Sequence, residues 1–397
     1  MAVLLCISTY EKGQAFLREA AQLGCEVHLL TVNKLRDGDW PKDILAGFHT
    51  APEELAAHEM LPYITRLAKH LRIDRIVPLD EFDLETAALA REHLRIPGMG
   101  QTATRYFRDK LAMREGASRG GVLVPEFSSV ANHDDVHRFL TNTEGPWFLK
   151  PRWSASAIGI HKIQRPDDIW PLLERLGDEA SNHLVERFVP GEIFHVEGIT
   201  WNGEVIFAAP HEYGEPPFET MHRGGIFSTR SLPPESDEAI SLRRIHVDVL
   251  RALGMQAGVT HSEFIRAHAD GRFYFLETAA RVGGAYIAEV VEHASGLNPW
   301  KEWARIEVAL AQGEEYQMPS PRSDYAGSII CLAKQQWPDT STYDAPEIVY
   351  RLHKDHHAGL ILRSHNPDRI KALLNEYISR FHNDFYTRLD APDKPTA

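Results

Sequence analysis

The first hundred residues alternate short, continuous apolar runs with segments whose apolar residues recur at helical spacing. AVLLCIS (2–8), CEVHLLTV (25–32) and DRIVPLD (74–80) read as strands buried on both faces. YEKGQAFLREAAQLG (10–24) places Phe16, Leu17, Ala20, Ala21 and Leu23 on one helical face, with Gly24 as a stop. Further helices are expected around residues 61–71 and over FDLETAALAREHL (82–94). A strand–helix–strand alternation of this kind predicts a parallel sheet. The first strand-to-helix turn, STYEKG, lacks the GxGxxG spacing of a dinucleotide fingerprint. Asp80 and Glu81 fall at the carboxyl end of a strand, where α/β sheets place ligands. Capping the next helix accounts for them as well.

Past residue 105 the pattern changes to shorter strands and hairpin turns. RYFRDKLAMREG is helical and carries Lys110; VLVPEF then enters a new unit. In PWFLKPRWSASAIGIHKI (146–163), Lys150 ends an apolar strand and a small-residue turn, Ser154 to Gly159, leads into a second one. A lysine beside such a turn can hold phosphate, because the turn's backbone N–H groups donate to the same oxygens; an ordinary hairpin is the alternative. LVERFV buries a carboxylate, Glu186, which needs a donor from an adenine amino group or the main chain. IFHVEGIT and EVIFAAP are strands joined at Asn202-Gly203, a strong hairpin signal. His195 alternates with Glu197 on one face and reads as a hydrogen-bonded structural residue. Residues 211–232 read as a lid-like loop offering His211, Tyr213, His222, Arg223 and Arg230 to a substrate. RRIHVDVLRALG is an amphipathic helix, and the helical run after residue 284 breaks near Gly296 to Pro299. Residues 325–397 supply two more strands (AGSIICLA and GLILRS) and a helix, an α/β piece. His356 and His357 are adjacent and do not share a face, so a metal pair is not expected there.

The most informative stretch is GVTHSEFIRAHADGRFYFLETAARVGG (258–284). SEFIRA and RFYFLE flank a turn-like AHADG and form a hairpin signal. With a turn over His268 to Arg272, Ala267 faces Phe273, Ile265 faces Phe275 and Glu263 faces Glu277. Opposed residues of an antiparallel pair lie about 5 Å apart at Cβ, and like charges placed there repel. A divalent cation offsets that repulsion, and magnesium suits an all-oxygen site completed by phosphates. An exposed hairpin with solvated carboxylates is the other reading. Arg281 follows one turn later and can meet the anionic end of what the metal holds. Gly283-Gly284 lets backbone approach a ligand.

Composition narrows the setting. A chain of 397 residues has room for two or three domains around ample core. Its net charge of −13 argues against a nucleic-acid or anionic-membrane surface. Cys6, Cys25 and Cys331 show no metal or redox spacing and fit a reducing compartment. No signal-peptide pattern and no membrane-spanning run is seen, so a cytoplasmic location is expected.

The motifs RDK, FLKPRWSASAIG, LVERFVPGE, THSEF and ETAARVGG occur in an order and spacing that resembles the ATP-grasp superfamily. The likeness is to its carboxylate–amine ligases, such as L-amino-acid ligases and D-alanine–D-alanine ligase, with biotin carboxylase as a further relative; it covers roughly residues 1–300. It implies an N-terminal parallel α/β domain (1–104), an ATP-grasp domain of two α+β subdomains (105–185 and 186–312) and a small C-terminal α/β extension (313–397). It implies that Lys110 and Lys150 bind ATP phosphates, with Lys150 also serving catalysis, and that Ser154, Ser156 and Gly159 lie in the loop over them. Glu186, Phe188 and Val189 would hold adenine, Glu192 the ribose, and His195 would stand near the nucleotide. Glu263 and Glu277 would hold magnesium, for which manganese can substitute. Arg281 would stabilise an acyl phosphate, while His261, Arg223, Gly283 and Gly284 would serve the substrates. The implied reaction activates a small carboxylate, an amino acid in the first instance, as an acyl phosphate and joins it to an amine, releasing ADP and phosphate. The implied partners are those two small molecules and a second copy of the chain, since dimers are common among such proteins. A bicarbonate-dependent enzyme and a non-catalytic ATP-binding regulator are the alternatives. The resemblance is broken at Ala279, where the pattern often carries an asparagine as a further metal ligand.

Overall fold

The computed structural model describes residues 1–154, 158–215 and 225–388. Four strands, β1 (Val3–Ile7), β2 (Glu26–Val32), β3 (Gly47–Ala51) and β4 (Arg75–Pro78), form a parallel sheet in the order β3-β2-β1-β4. The three strands expected from continuous apolar runs are the inner pair and the edge β4. GFHTA, the fourth, gave no signal, because a half-buried strand at the other edge needs no apolar run. Strand order reverses direction beside β1, so the turns after β1 and β4 meet at a topological switch point, where such sheets bind ligands. Asp80 caps the turn there, accepting from the Phe82 amide at 3.0 Å, while Glu81 projects onward.

A second sheet follows: β5 (Phe127–Ser129), β6 (Trp147–Pro151), β7 (His161–Ile163) and β8 (His183–Arg187), antiparallel in the order β5-β8-β6-β7. The third sheet is larger. Its strands are β9 (Gly191–Trp201), β10 (Glu204–Tyr213), β11 (Phe227–Ser231), β12 (Gly258–Ala267), β13 (Phe273–Ala279), β14 (Tyr325–Leu332), β15 (Ile348–Arg351) and β16 (His357–Ser364). They pair antiparallel in the order β13-β12-β9-β10-β11-β14-β16-β15. Asn202 and Gly203, at φ 52° and 78°, make the tight turn between β9 and β10 that their sequence predicts. The C-terminal strands extend this same sheet through β11–β14 pairing and form no sheet of their own. His211, Tyr213 and Arg230, expected in a lid, instead lie on β10 and β11, and Arg230 pairs with Glu212. His222 and Arg223 fall outside the described residues.

The β12–β13 hairpin sets Glu263 opposite Glu277, as expected. The pairs nearer the turn differ from expectation: Arg266, not Ala267, faces Phe273, and Phe264, not Ile265, faces Phe275. A β-bulge beside Glu263 absorbs the one-residue slip. It turns Phe264 and Phe275, both fully buried, into the same core.

Helix 299–312 fastens the parallel sheet to the large one. Its Trp303 meets Phe16 edge-on at 5.5 Å between ring centroids, and Glu307 accepts from the Arg75 guanidinium at 2.8 Å, both groups buried. Helix 110–119, capped by the Asp109 carboxylate, packs against β13 and reaches the small sheet through the Arg114–Glu186 pair.

Candidate active site

A cavity of about 640 Å³ opens where the three sheets converge, within the size range of small-molecule sites. One end is apolar. Phe148 from β6, Ile193 from β9, Ile265 and Leu276 from the hairpin, and Phe188, Val189 and Pro190 from the β8–β9 crossing line a slot between the small and large sheets. Phe148 and Phe188 meet edge to face at 5.0 Å. The backbone of that crossing belongs to the slot, so its peptide groups can pair with the edge of a flat ring.

The other end is charged. Lys110, the first residue of its helix, donates to the Ser154 carbonyl at 2.6 Å and pairs with Glu277 at 2.7 Å. Lys150, at the end of β6, pairs with Glu186. Burial lowers the Lys150 pKa and Glu186 opposes that drop. Glu186 also accepts two bonds from Arg114, at 2.9 and 3.0 Å. Burial alone would raise the Glu186 carboxyl; Arg114 and Lys150 bring it below the ordinary carboxylate range. Glu186 still lines the cavity beside Lys150. The donors its burial requires are Arg114 and Lys150.

Arg281 enters the cavity from the segment after β13 and pairs with Glu81, which comes from the switch point of the parallel sheet. Arg108 stands 3.6 Å from the other oxygen of Glu81. Burial would raise Glu81, but Arg281 and Arg108 hold it at about 2. The site thus takes a carboxylate from the first domain, which the sequence left divided between a cap and a ligand.

Glu263 and Glu277 sit side by side in the cavity wall. Tyr213 donates to Glu263 at 3.0 Å, and Lys110 neutralises Glu277. The donor set is oxygen-only and acidic, with neither carboxylate fully covered, at 18% and 32% side-chain exposure; this fits a hard divalent cation. Ala279 lies directly opposite His261 in the hairpin and gives the cation no third side-chain oxygen.

Behind Glu263 runs a buried hydrogen-bonded chain. His261 Nε2 lies 3.5 Å from Glu263, and its Nδ1 lies 2.5 Å from Glu197 Oε1. His195 Nδ1 meets the same oxygen at 2.8 Å, and His195 Nε2 meets the Thr229 hydroxyl at 2.7 Å. Burial pulls the His261 pKa down, but Glu197 outweighs it and pushes it up to about 10, so His261 is an imidazolium at neutral pH. His195 shifts the other way: burial lowers it and it stays neutral. Three ligand-type atoms of His195, Glu197 and His261 lie within 4.8 Å of one another. Their contacts are nevertheless hydrogen-bond distances, and the second nitrogen of each ring is engaged elsewhere.

The remaining expected positions separate. Ser154, Phe188, Val189, His261 and Gly284 line the cavity. Gly159 flanks it at φ 74°, and Ser156 falls outside the described residues. Gly283 is packed behind the wall, where an added Cβ would stand 2.9 Å from Glu197 and 3.1 Å from His261. His195 is fully buried and supports Glu197; it does not line the cavity, a correction to its expected place beside the nucleotide. Glu192 lies between Gly191 and Ile193, which line the cavity; its side chain is 43% exposed and pairs with Arg266 and His268. Arg114 and Arg108 went unnoticed in the sequence, and Glu197 was noted only as sharing a face with His195. Arg114 had one signal, its place one helical turn after Lys110 on the same face.

No protein-family model matches the chain. The L-arginine-specific L-amino acid ligase of Bacillus subtilis is 26% identical over 242 residues, which make up 59% of this chain and 58% of that protein. The alanine–anticapsin ligase of Bacillus subtilis strain 168 is 25% identical over 276 residues, 63% of this chain and 56% of that protein. The chain spans just over half the length of these curated relatives. Among solved structures, the L-amino acid ligase from Bacillus licheniformis superposes with a TM-score of 0.75, covering 98% of this chain and 99% of that one at 17% identity. N5-carboxyaminoimidazole synthetase from Staphylococcus aureus, complexed with ADP, gives a TM-score of 0.72 over 95% of this chain and 97% of that one at 16% identity. With the fold shared along nearly its whole length and amino-acid ligases among its sequence relatives, the chain is similar to the carboxylate–amine ligases of the ATP-grasp superfamily.

Proposed function

We propose that the protein is an ATP-dependent ligase that activates a small carboxylate, an amino acid in the first instance, and joins it to an amine. The observation that carries this reading is a single cavity that sets an apolar, ring-sized slot beside three cations (Lys110, Lys150 and Arg281) and two opposed carboxylates (Glu263 and Glu277). Adenine fits the slot of Phe148, Ile193, Ile265 and Leu276, with its edge against the main chain at Phe188 and Val189. Lys110 and Lys150 then face the phosphates, under the loop that includes Ser154. Glu263 and Glu277 would hold magnesium, with manganese as a substitute, and the ion would supply charge neutralisation at the transferring phosphoryl group.

A carboxylate oxygen of the substrate attacks the γ-phosphorus. The bond to the β–γ bridging oxygen breaks, and ADP leaves with that oxygen. The amine nitrogen then attacks the acyl carbon; phosphate departs with the bonding pair, and the nitrogen loses a proton to solvent. The protein orients these groups and offsets their charge. Arg281 is the cation for the acyl phosphate and for the oxyanion that follows. Gly284, with no atom within 4 Å of an added Cβ, leaves room for the substrate's carboxylate. Glu81 lies on the same side, and His261 shapes the acceptor side of the wall.

In this reading residues 1–104, 105–185, 186–312 and 313–397 act as the N-terminal domain, two ATP-grasp subdomains and an extension. No helix among the described residues is long and apolar enough to cross a membrane; the enzyme would work in the cytoplasm as a homodimer on small molecules.

Phosphate release from Mg-ATP against pooled amino acids, with mass spectrometry of the products, tests the proposal. ADP, phosphate and a new amide mass are expected, and Glu277→Ala should nearly abolish them. Turnover that depends on bicarbonate alone would instead support a carboxylase-like enzyme. ATP binding without turnover on any pool would support a regulator.

A further inference from the structure

Arg114 lies one turn beyond Lys110 on helix 110–119, so both side chains leave the same face. It is the largest fully buried side chain among the described residues, at 1% exposure. A guanidinium with so little water must spend its donors on fixed partners. Nε and Nη2 both go to Glu186 Oε2, at 3.0 and 2.9 Å, and Nη1 goes to the main-chain carbonyl of Leu276. The plane also lies 6.0 Å from the Phe275 ring centroid. These partners belong to different sheets: Glu186 is on β8 of the small sheet, and Leu276 is on β13 of the large one, next to Glu277.

The charge count is equally specific. The other oxygen of Glu186 takes Lys150, which lines the cavity. Arg114, Lys150 and Glu186 together carry one net positive charge. Glu186 alone with Lys150 would carry none, and the lysine facing the ligand would already be neutralised. Lys110, meanwhile, reaches Glu277 and the Ser154 carbonyl from the same helix. One helix face therefore sets both lysines and the strand of a proposed metal ligand.

Resting on the ATP reading above, we propose that Arg114 is a positioning residue of the nucleotide site: it offsets Glu186 so that Lys150 keeps its charge for the polyphosphate, and it ties the β13 backbone beside Glu277 to the helix that carries Lys110. Arg114 reaches the cavity wall, but its Nε, Nη1 and Nη2 donors are spent on Glu186 and Leu276, and it acts through them.

The test is calorimetric binding of Mg-AMPPNP, a non-hydrolysable ATP analogue, to the full chain and three variants whose folding is checked by melting. Arg114→Met should weaken binding at least about tenfold, since it removes one charge from a buried, hydrogen-bonded pair. Arg114→Met/Glu186→Gln should return binding to within about threefold of the wild type, because Lys150 is then unpaired. Arg114→Lys keeps the charge and loses the fork, and should also stay within about threefold. A purely structural arginine would leave the double variant as weak as the single one or weaker, and that result overturns the proposal. So does unchanged binding in Arg114→Met. If Arg114→Met does not fold, the double variant and Arg114→Lys decide: a tenfold loss in either one overturns it. A wild type that binds no Mg-AMPPNP overturns the ATP reading itself, and the positioning role with it.

Discussion

The imidazolium at His261 makes a quantitative prediction. His261 is 8% exposed, its Nδ1 lies 2.5 Å from Glu197, and its pKa stands at about 10 against 6.5 for an unperturbed histidine. A folded-state pKa raised above the unfolded one stabilises the fold below pH 6.5, and that stabilisation fades as pH rises through 10. Linkage over those two values gives about 4 kcal/mol at pH 6.5 and about 1 kcal/mol at pH 9.5. Replacing His261 by glutamine keeps a hydrogen-bonding side chain of similar length but no titrating charge, and it leaves Glu197 with His195 as its remaining close partner.

The comparison is denaturant unfolding of the wild type and His261→Gln in parallel buffers, with EDTA present so that no divalent cation competes for Glu263. The wild type should exceed the variant by several kcal/mol near pH 6.5, and the gap should narrow steadily toward pH 9.5. A gap that stays constant to within about 0.5 kcal/mol, or that widens as pH rises, would refute the charged-histidine account. His261 would then be a neutral member of the chain, valued for packing alone.

Other expectations follow from the same geometry. Gly283→Ala would push a methyl to 2.9 Å from Glu197 and 3.0 Å from Ile287, and should lower stability by about 1–3 kcal/mol in the same assay while reducing turnover. Glu192→Ala should change Mg-AMPPNP affinity less than about twofold, because an exposed pair contributes little and faces away from the cavity; a tenfold loss would restore the ribose role expected from the motif. Arg75→Met should cost about 3–5 kcal/mol by stranding buried Glu307, and Arg75→Met/Glu307→Leu should recover most of it in a melting comparison.

Much of the fold was legible because burial leaves marks in sequence. Strands covered on both faces give unbroken apolar runs, which located β1, β2 and β4; β3, at an edge, left none. The hairpin is more instructive. A five-residue turn predicts Glu263 opposite Glu277, and that pairing holds, although the strands are out of the expected register nearer the turn. The Ala267 amide donates to the Arg272 carbonyl at 2.9 Å, so the turn is one residue offset, and the bulge beside Glu263 restores the alignment. Period-two reasoning cannot place a bulge, since the extra residue is set by packing, here the burial of Phe264 and Phe275 together.

At the site, residue types were readable and pairings were not. Glu81 and Arg281 are 200 positions apart, and Arg114 and Glu186 are 72 apart, so no local pattern joins them. The consequence reaches chemistry: the donor that a buried Glu186 needs was sought in adenine or the main chain, while Arg114 and Lys150 supply it. Glu192 is a different kind of case, in which the sequence held the answer. Strand side chains alternate between faces. His195 and Glu197 share a face, so Ile193 shares it too, and Glu192 must point the other way. The motif drew Glu192 toward the ribose, while parity along β9 sends it to Arg266 and His268 at the surface. Where a motif assigns a residue to a ligand and strand parity turns it away, parity rests on backbone geometry common to all strands and should be given precedence.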